Sequence, residues 1–183
     1  MLLYQRSSSY HIHMFLIYIK QTFKIVIAFV LILLFIRAFI AEPGRVNGRS
    51  MELTFLDEDF FVVNKFTLLF REPRRGDIVQ FVDQKDKSVV IKRVIGLPGE
   101  KLSIKGGRVF LLQQNREWVE LQESYLAPGI KTYSETQQDT VYLPVPEHSY
   151  FLMGDNRPMS GDSRIYGSVH RSAIYGLVIR PNF

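Results

Sequence analysis

Two residues of this 183-residue chain stand where their types and surroundings can do chemistry. Ser50 closes Val46-Asn47-Gly48-Arg49-Ser50, and Lys92 interrupts the apolar run Val89-Val90-Ile91-Lys92-Arg93-Val94-Ile95-Gly96. A serine hydroxyl becomes a strong nucleophile only when a base takes its proton. A lysine with its ordinary pKa of about 10.4 is neutral in only about one molecule in a thousand at neutral pH, so it serves as that base only where apolar burial disfavours the ammonium. Side chains alternate along a strand, so Lys92 and Arg93 point to opposite faces, and if both faces are covered one of them is forced inward. The competing reading of Lys92 is an edge-strand lysine that discourages aggregation. Ser50 taken alone reads as a solvated hydroxyl.

A third segment, Gly154-Asp155-Asn156-Arg157-Pro158-Met159-Ser160-Gly161-Asp162-Ser163-Arg164, packs two Asp, two Arg and two Ser into eleven residues. That density of charge-assisted partners suits a loop ordered beside a reactive centre. Arg75-Gly76-Asp77-Ile78-Val79-Gln80-Phe81 reads as a turn followed by a strand. No cysteine is present, which excludes disulfide scaffolds, thiol nucleophiles and Cys-based zinc sites. The four histidines, His11, His13, His148 and His170, have no zinc-ligand spacing, so neither a metal nor a cofactor is expected.

The elements that must position these residues follow from patterning. From Asp59 onward short apolar or alternating runs are divided by turn residues, and none sustains a 3.6-residue period. The expected strands are Phe60–Lys65, Asp77–Val82, Ser88–Ile95, Lys101–Lys105, Val109–Gln113, Trp118–Leu121, Thr140–Leu143, Tyr150–Met153 and Ile174–Arg180. The body is therefore expected to be mainly β, a closed or folded-over antiparallel sheet that leaves few exposed edges. Glu123 to Asp139 is more polar and reads as a surface loop or insertion.

The formal net charge of +5 belongs entirely to the first 49 residues, and the body is neutral overall. A nucleic-acid role is not expected, because that body offers no basic face. Within the N-terminal arm, Ile25–Ala41 is apolar except at Arg37, and Met14–Ile19 is a second, shorter apolar run. The longer run approaches the roughly 20 residues needed to cross a bilayer, with Lys20, Lys24 and Arg37 snorkelling to the interfaces. A cleavable signal peptide is the alternative, but Arg37 and the unsuitable Ala38-Phe39-Ile40-Ala41 favour a retained anchor. The expected layout is a cytoplasmic or interfacial segment (1–24), a transmembrane anchor (25–41) and a β-rich body (42–183). Ser50 lies nine residues past the anchor, at most roughly 30 Å of extended chain, and so close to the bilayer face. Flanking charges are nearly balanced and do not set the orientation.

In this order, GRSMELTF, RGDIVQF, VVIKRVIGLPGE and GDNRPMSGDSR after a membrane segment resemble the signal peptidase I family of membrane-anchored serine endopeptidases. The resemblance runs from about Arg37 to the C-terminus. It implies that Ser50 is the nucleophile, that Lys92 is the general base, and that Ser160 hydrogen-bonds the Lys92 amine. It further implies that Asp155, Asp162 and Arg164 support the site, Asp162 and Arg164 as an ion pair. The oxyanion would be held by the Ser50 N–H, with a second backbone donor at Gly48, where many relatives carry Ser. The implied substrates are preproteins with small residues at the first and third positions before the cut. The implied location is the cell membrane, with the N-terminus in the cytoplasm, the catalytic body on the extracytoplasmic face and the lipid bilayer as a partner. Leu53 stands where the family usually has Pro, and Met159 where Asn is common.

Two rival readings remain at this level. One is a hydrolase using Ser163 with His148 or His170, although no G-x-S-x-G elbow surrounds that serine. The other is a membrane-tethered β module that binds exported segments without cutting them, a reading drawn from Leu53 in place of Pro.

Overall fold

The computed structural model describes residues 2–83 and 87–181, with side chains from residue 14 onward. Helix α1 runs Leu2–Phe39 without a break. Nothing between Met14–Ile19 and the main apolar run stops a helix, since Lys20, Gln21 and Lys24 are good helix formers, and the two runs merge. Met14–Phe39 is 26 residues long and apolar enough to cross a membrane, with a mean hydropathy of 2.4 over an 18-residue window. At 1.5 Å per residue it spans about 39 Å, against a hydrocarbon core of about 30 Å. The chain divides into two compact units between Ile40 and Ala41. Ala41 thus opens the second unit instead of closing the anchor.

The second unit is mainly antiparallel β, as expected. Its strands are β1 (Ala41–Arg45), β2 (Phe60–Asn64), β3 (Ile78–Val82), β4 (Val89–Gly96), β5 (Leu102–Lys105), β6 (Arg108–Leu112), β7 (Trp118–Glu120), β8 (Thr140–Val141), β9 (Ser149–Met153), β10 (Val169–His170) and β11 (Ile174–Ile179). Seven of them form one sheet in the order β1-β2-β11-β3-β4-β9-β10, and the other four form a second in the order β7-β6-β5-β8. A one-turn helix, α2 (Ser163–Tyr166), follows the polar loop.

All nine expected strands form, most of them within a residue of the expected ends, although Thr140–Leu143 shortens to the two residues of β8. The structure adds β1 and β10. AEPGR has almost no β-forming residues, and its strand exists because it pairs with β2 from Ala41↔Asn64 to Arg45↔Phe60. Pro43 is tolerated there because β1 is outermost and one side of its backbone needs no partner.

Strand alternation explains how two sheets share one body. On β9, Tyr150 and Leu152 enter a core with Val79, Phe81, Val94, Ile174 and Leu177. Phe151 and Met153 point the other way and join Ile95, Leu102, Ile104, Val109 and Leu111, which tie the small sheet to the large one. A third core gathers Val46, Met51, Phe55, Phe61, Val63, Ile91 and Val178. It is this third core that fixes the segment carrying Ser50.

Candidate active site

Met51 and Phe55 are fully buried, so the turn after Ser50 is held by side chains on both sides of its bend. Phe55 N–H donates to Met51 O at 2.8 Å, and Glu52 N–H to Arg49 O at 3.1 Å. The polar loop clasps the same turn from outside. Asn156 N–H donates to Ser50 O at 3.0 Å, and its side-chain amide donates to Arg49 O and Glu52 Oε2, each at 3.0 Å.

Lys92 projects from β4, opposite Val79 of β3. It is only 4% exposed, and its Nζ lies 2.7 Å from Ser50 Oγ. Burial pushes its pKa below the ordinary lysine value; the Asp162 and Asp83 carboxylates oppose the shift and the Arg164 guanidinium adds to it. As an ammonium it donates to the hydroxyl, and as a neutral amine it accepts the hydroxyl proton. The edge-lysine reading does not hold, because β4 lies inside the large sheet between β3 and β9.

Arg93, the next residue, is also buried, so both cations of this strand point inward, where the sequence required only one. Arg93 is compensated. Its Nε donates to Asp155 Oδ1 at 2.8 Å and its Nη2 to Asp155 Oδ2 at 2.6 Å, while Thr54 Oγ1 donates to the same carboxylate. Asp155 therefore links β4 to the turn after Ser50.

Asp162 and Arg164 form the expected pair, with Arg164 Nε and Nη2 each 2.8 Å from the two carboxylate oxygens. Asp162 also accepts from the Gly154 N–H at 3.0 Å, and Arg164 reaches the Arg157 and Ser160 carbonyls at 2.8 and 3.2 Å. The loop is thereby closed on itself beside the dyad.

Two expectations and one rival reading need correction. Ser160 does not bond the Lys92 amine: its buried Oγ has no hydrogen-bond partner among the described residues. It packs on the Gly154 Cα, where a Cβ would collide with Ser160 Oγ and with the Ser50 carbonyl. Gly48 does not offer a free oxyanion donor either. Its N–H donates to Asp57 Oδ1 at 2.8 Å, and its φ of +97° turns the chain toward that carboxylate. The Ser50 N–H, in contrast, makes no hydrogen bond among the described residues. Finally, Ser163 is not paired with a histidine. Its buried Oγ accepts from Leu152 N–H at 2.9 Å, and His170 Nδ1 pairs with Ser172 Oγ at 2.8 Å.

Leu53, in the position where the resemblance expects Pro, has a φ of +96°. Proline is locked near −65°, so this turn has a backbone that a proline does not fit. Beside Ser50 a cavity of about 190 Å³ opens, walled by Val46, Phe61, Val90 and Ile91 and closed by Gly44, Asn47 and Gln80. Sequence reasoning missed Arg93, Thr54, Asp57 and Asn156 as parts of the site. Of these only Arg93 carried a signal, as a cation on a strand covered on both faces.

Known proteins resemble most of this chain in sequence. The family model described as "Signal peptidase, peptidase S26" matches residues 19–182. The chain is 36% identical over 160 residues to signal peptidase I of Leptolyngbya laminosa, covering 82% of this chain and 72% of that protein. It is 38% identical over 151 residues to signal peptidase I of Bacillus licheniformis, covering 77% and 75%. A solved signal peptidase I from Enterococcus faecalis V583 is 31% identical, with a TM-score of 0.48 over 58% of this chain and 97% of that one.

Proposed function

The chain belongs to the signal peptidase family, peptidase S26, whose members are serine endopeptidases, and within that frame we propose that Ser50 is its nucleophile and Lys92 its general base. The observation that carries this reading is the 2.7 Å approach of a buried lysine amine to a serine hydroxyl held in a braced turn. The neutral amine takes the Ser50 proton as Oγ attacks the scissile carbonyl carbon. The ammonium then protonates the leaving amine, which is the new N-terminus of the mature protein. Water attacks the resulting ester, giving a proton to Lys92, which passes it to Ser50 Oγ as the C–Oγ bond breaks and the signal peptide leaves with a new carboxyl terminus.

The Ser50 N–H is the oxyanion donor in this scheme, since Asp57 holds that of Gly48. One such donor is worth about 3 kcal/mol of transition-state stabilisation. Asp155, Asp162 and Arg164 position the pair without touching the reacting atoms. The substrates are preproteins whose signal peptides carry small residues before the cut, and a cavity of about 190 Å³ with apolar walls beside Ser50 suits a small side chain. The helix Met14–Phe39 anchors the chain in the cell membrane with its N-terminal end on the cytoplasmic side, and the unit that begins at Ala41 works on the extracytoplasmic face against the lipid bilayer.

The test is cleavage of a preprotein by the full chain in detergent. Wild type and Ser163→Ala should cut, and Ser50→Ala and Lys92→Ala should not. Turnover that survives Ser50→Ala overturns the assignment, and binding without any turnover by wild type would restore the non-catalytic reading.

A further inference from the structure

The stretch Glu123–Asp139 has no regular structure, yet it is not simply a surface loop. Thr132 and Ser134 are buried, and Tyr125 reaches the residues around the dyad. The Arg93 guanidinium carbon lies 3.9 Å from the centre of the Tyr125 ring. The phenol donates to Glu123 Oε1 at 2.6 Å and accepts from Arg157 Nη2 at 3.4 Å. Arg157, itself fully buried, pairs with Glu123 through both terminal nitrogens and donates to Thr132 Oγ1. Its Nε donates to the Gly154 carbonyl at 3.1 Å.

We propose that Tyr125 is a positioning residue for the Ser50–Lys92 pair: its ring holds Arg93 against Asp155, while its hydroxyl, with Glu123, holds Arg157 on the Gly154 carbonyl. This inference rests on the dyad proposed above. Arg93 follows Lys92 on β4, so an Arg93 side chain free to move loosens the strand that aims the amine. On the other side, Gly154 is the residue whose Cα lies against the Ser50 carbonyl and Ser160 Oγ, and its own carbonyl is held by Arg157. One aromatic side chain thus stands between two buried ion pairs, Arg93–Asp155 and Arg157–Glu123, whose arginines bind the adjacent residues Asp155 and Gly154. A guanidinium over an aromatic face gains most where water is excluded, as around these pairs. Burial and the Glu123 carboxylate raise the Tyr125 pKa, which keeps the phenol neutral and a donor.

The experiment measures kcat, KM and thermal midpoint for preprotein cleavage by the full chain in detergent. Tyr125→Leu should lower kcat at least about tenfold with KM within about twofold, because the loss is of reacting geometry and not of substrate contact. Tyr125→Phe keeps the ring over Arg93 and should retain at least about a third of kcat. Val169→Ala, a cavity in the core that Tyr125 does not touch, serves as the control; it should lower the midpoint and leave kcat within about twofold. Glu123→Gln supplies a second route should Tyr125→Leu fail to fold, and it should also lower kcat with little change in KM. The proposal is overturned if Tyr125→Leu keeps kcat within twofold of wild type, if Tyr125→Phe is no better than Tyr125→Leu, or if Val169→Ala loses as much. Ser50→Ala and Lys92→Ala run in parallel separate the two readings. Activity in those variants removes the dyad itself, whereas a dead dyad variant beside a fully active Tyr125→Leu removes only the brace.

Discussion

Lys92 and Arg93 are consecutive on β4 and both are buried, but among the described residues only Arg93 forms an ion pair with a carboxylate. The guanidinium binds Asp155 in two places, and the lysine amine meets a neutral hydroxyl. One cation thereby serves as a structural tie, and its neighbour is destabilised as an ammonium and made available as a base. The division follows from chemistry: a guanidinium cannot be deprotonated in a protein and a lysine can.

Replacing Lys92 by Met should expose that destabilisation. Between the lowered pKa of folded Lys92 and the ordinary 10.5, the unfolded chain holds a proton that the folded chain lacks, so wild-type stability rises with pH through this window. Lys92→Met should therefore be more stable than wild type at low pH, with the gap narrowing as the pH approaches 10.5. Urea unfolding of both proteins across that range measures it, and a gap independent of pH contradicts a lowered lysine pKa.

Gly154→Ala should separate folding from activity. Its Cβ meets Ser160 Oγ and the Ser50 carbonyl, so the loop and the nucleophile turn must move apart. Overpacking of this kind costs about 1–3 kcal/mol, and a displacement near 1 Å at the nucleophile costs about a hundredfold in rate. Calorimetry and steady-state kinetics on the same sample check both figures. An alanine variant with normal kcat would mean that the close approach has no bearing on the reaction.

Asp155→Ala leaves Arg93 buried without its counter-charge and Thr54 without its acceptor. Removing one partner of such a pair costs about 3–5 kcal/mol. Unfolding should therefore occur at markedly lower denaturant concentration. A loss below about 1 kcal/mol would show that Arg93 finds another partner.

The Leu53 turn yields an opposed pair of variants. Leu53→Gly relieves a φ of +96° and should be neutral or stabilising by up to about 1 kcal/mol. Leu53→Pro forces φ near −65° and should destabilise by at least about 2 kcal/mol and impair cleavage. A proline variant as stable as wild type contradicts the backbone described for this turn.

How much of this was readable in the sequence depends on distance along the chain. Ser50, Lys92 and the loop from Asp155 to Arg164 announce themselves as short motifs, and nine of the strands as short apolar or alternating runs. The Asp162–Arg164 pair needs only two residues of chain and was foreseen. The Asp57 carboxylate on the Gly48 N–H was not, because nothing in Asp57-Glu58-Asp59 says which backbone group a turn will meet. Glu123, Tyr125 and Arg157 come from segments about thirty residues apart, and only the folded small sheet brings them together. β1 and β10 were missed because pairing, and not local propensity, makes them strands.

The central claim is that a neutral Lys92 takes the proton of Ser50, and the pH dependence of kcat/KM for preprotein cleavage by wild type and Lys92→Arg tests it most directly. In wild type, kcat/KM should rise with unit slope through an apparent pKa below the ordinary 10.5, and Lys92→Arg should be inactive at every pH. Substantial cleavage by Lys92→Arg, or a wild-type profile that rises only near 10.5, would contradict it.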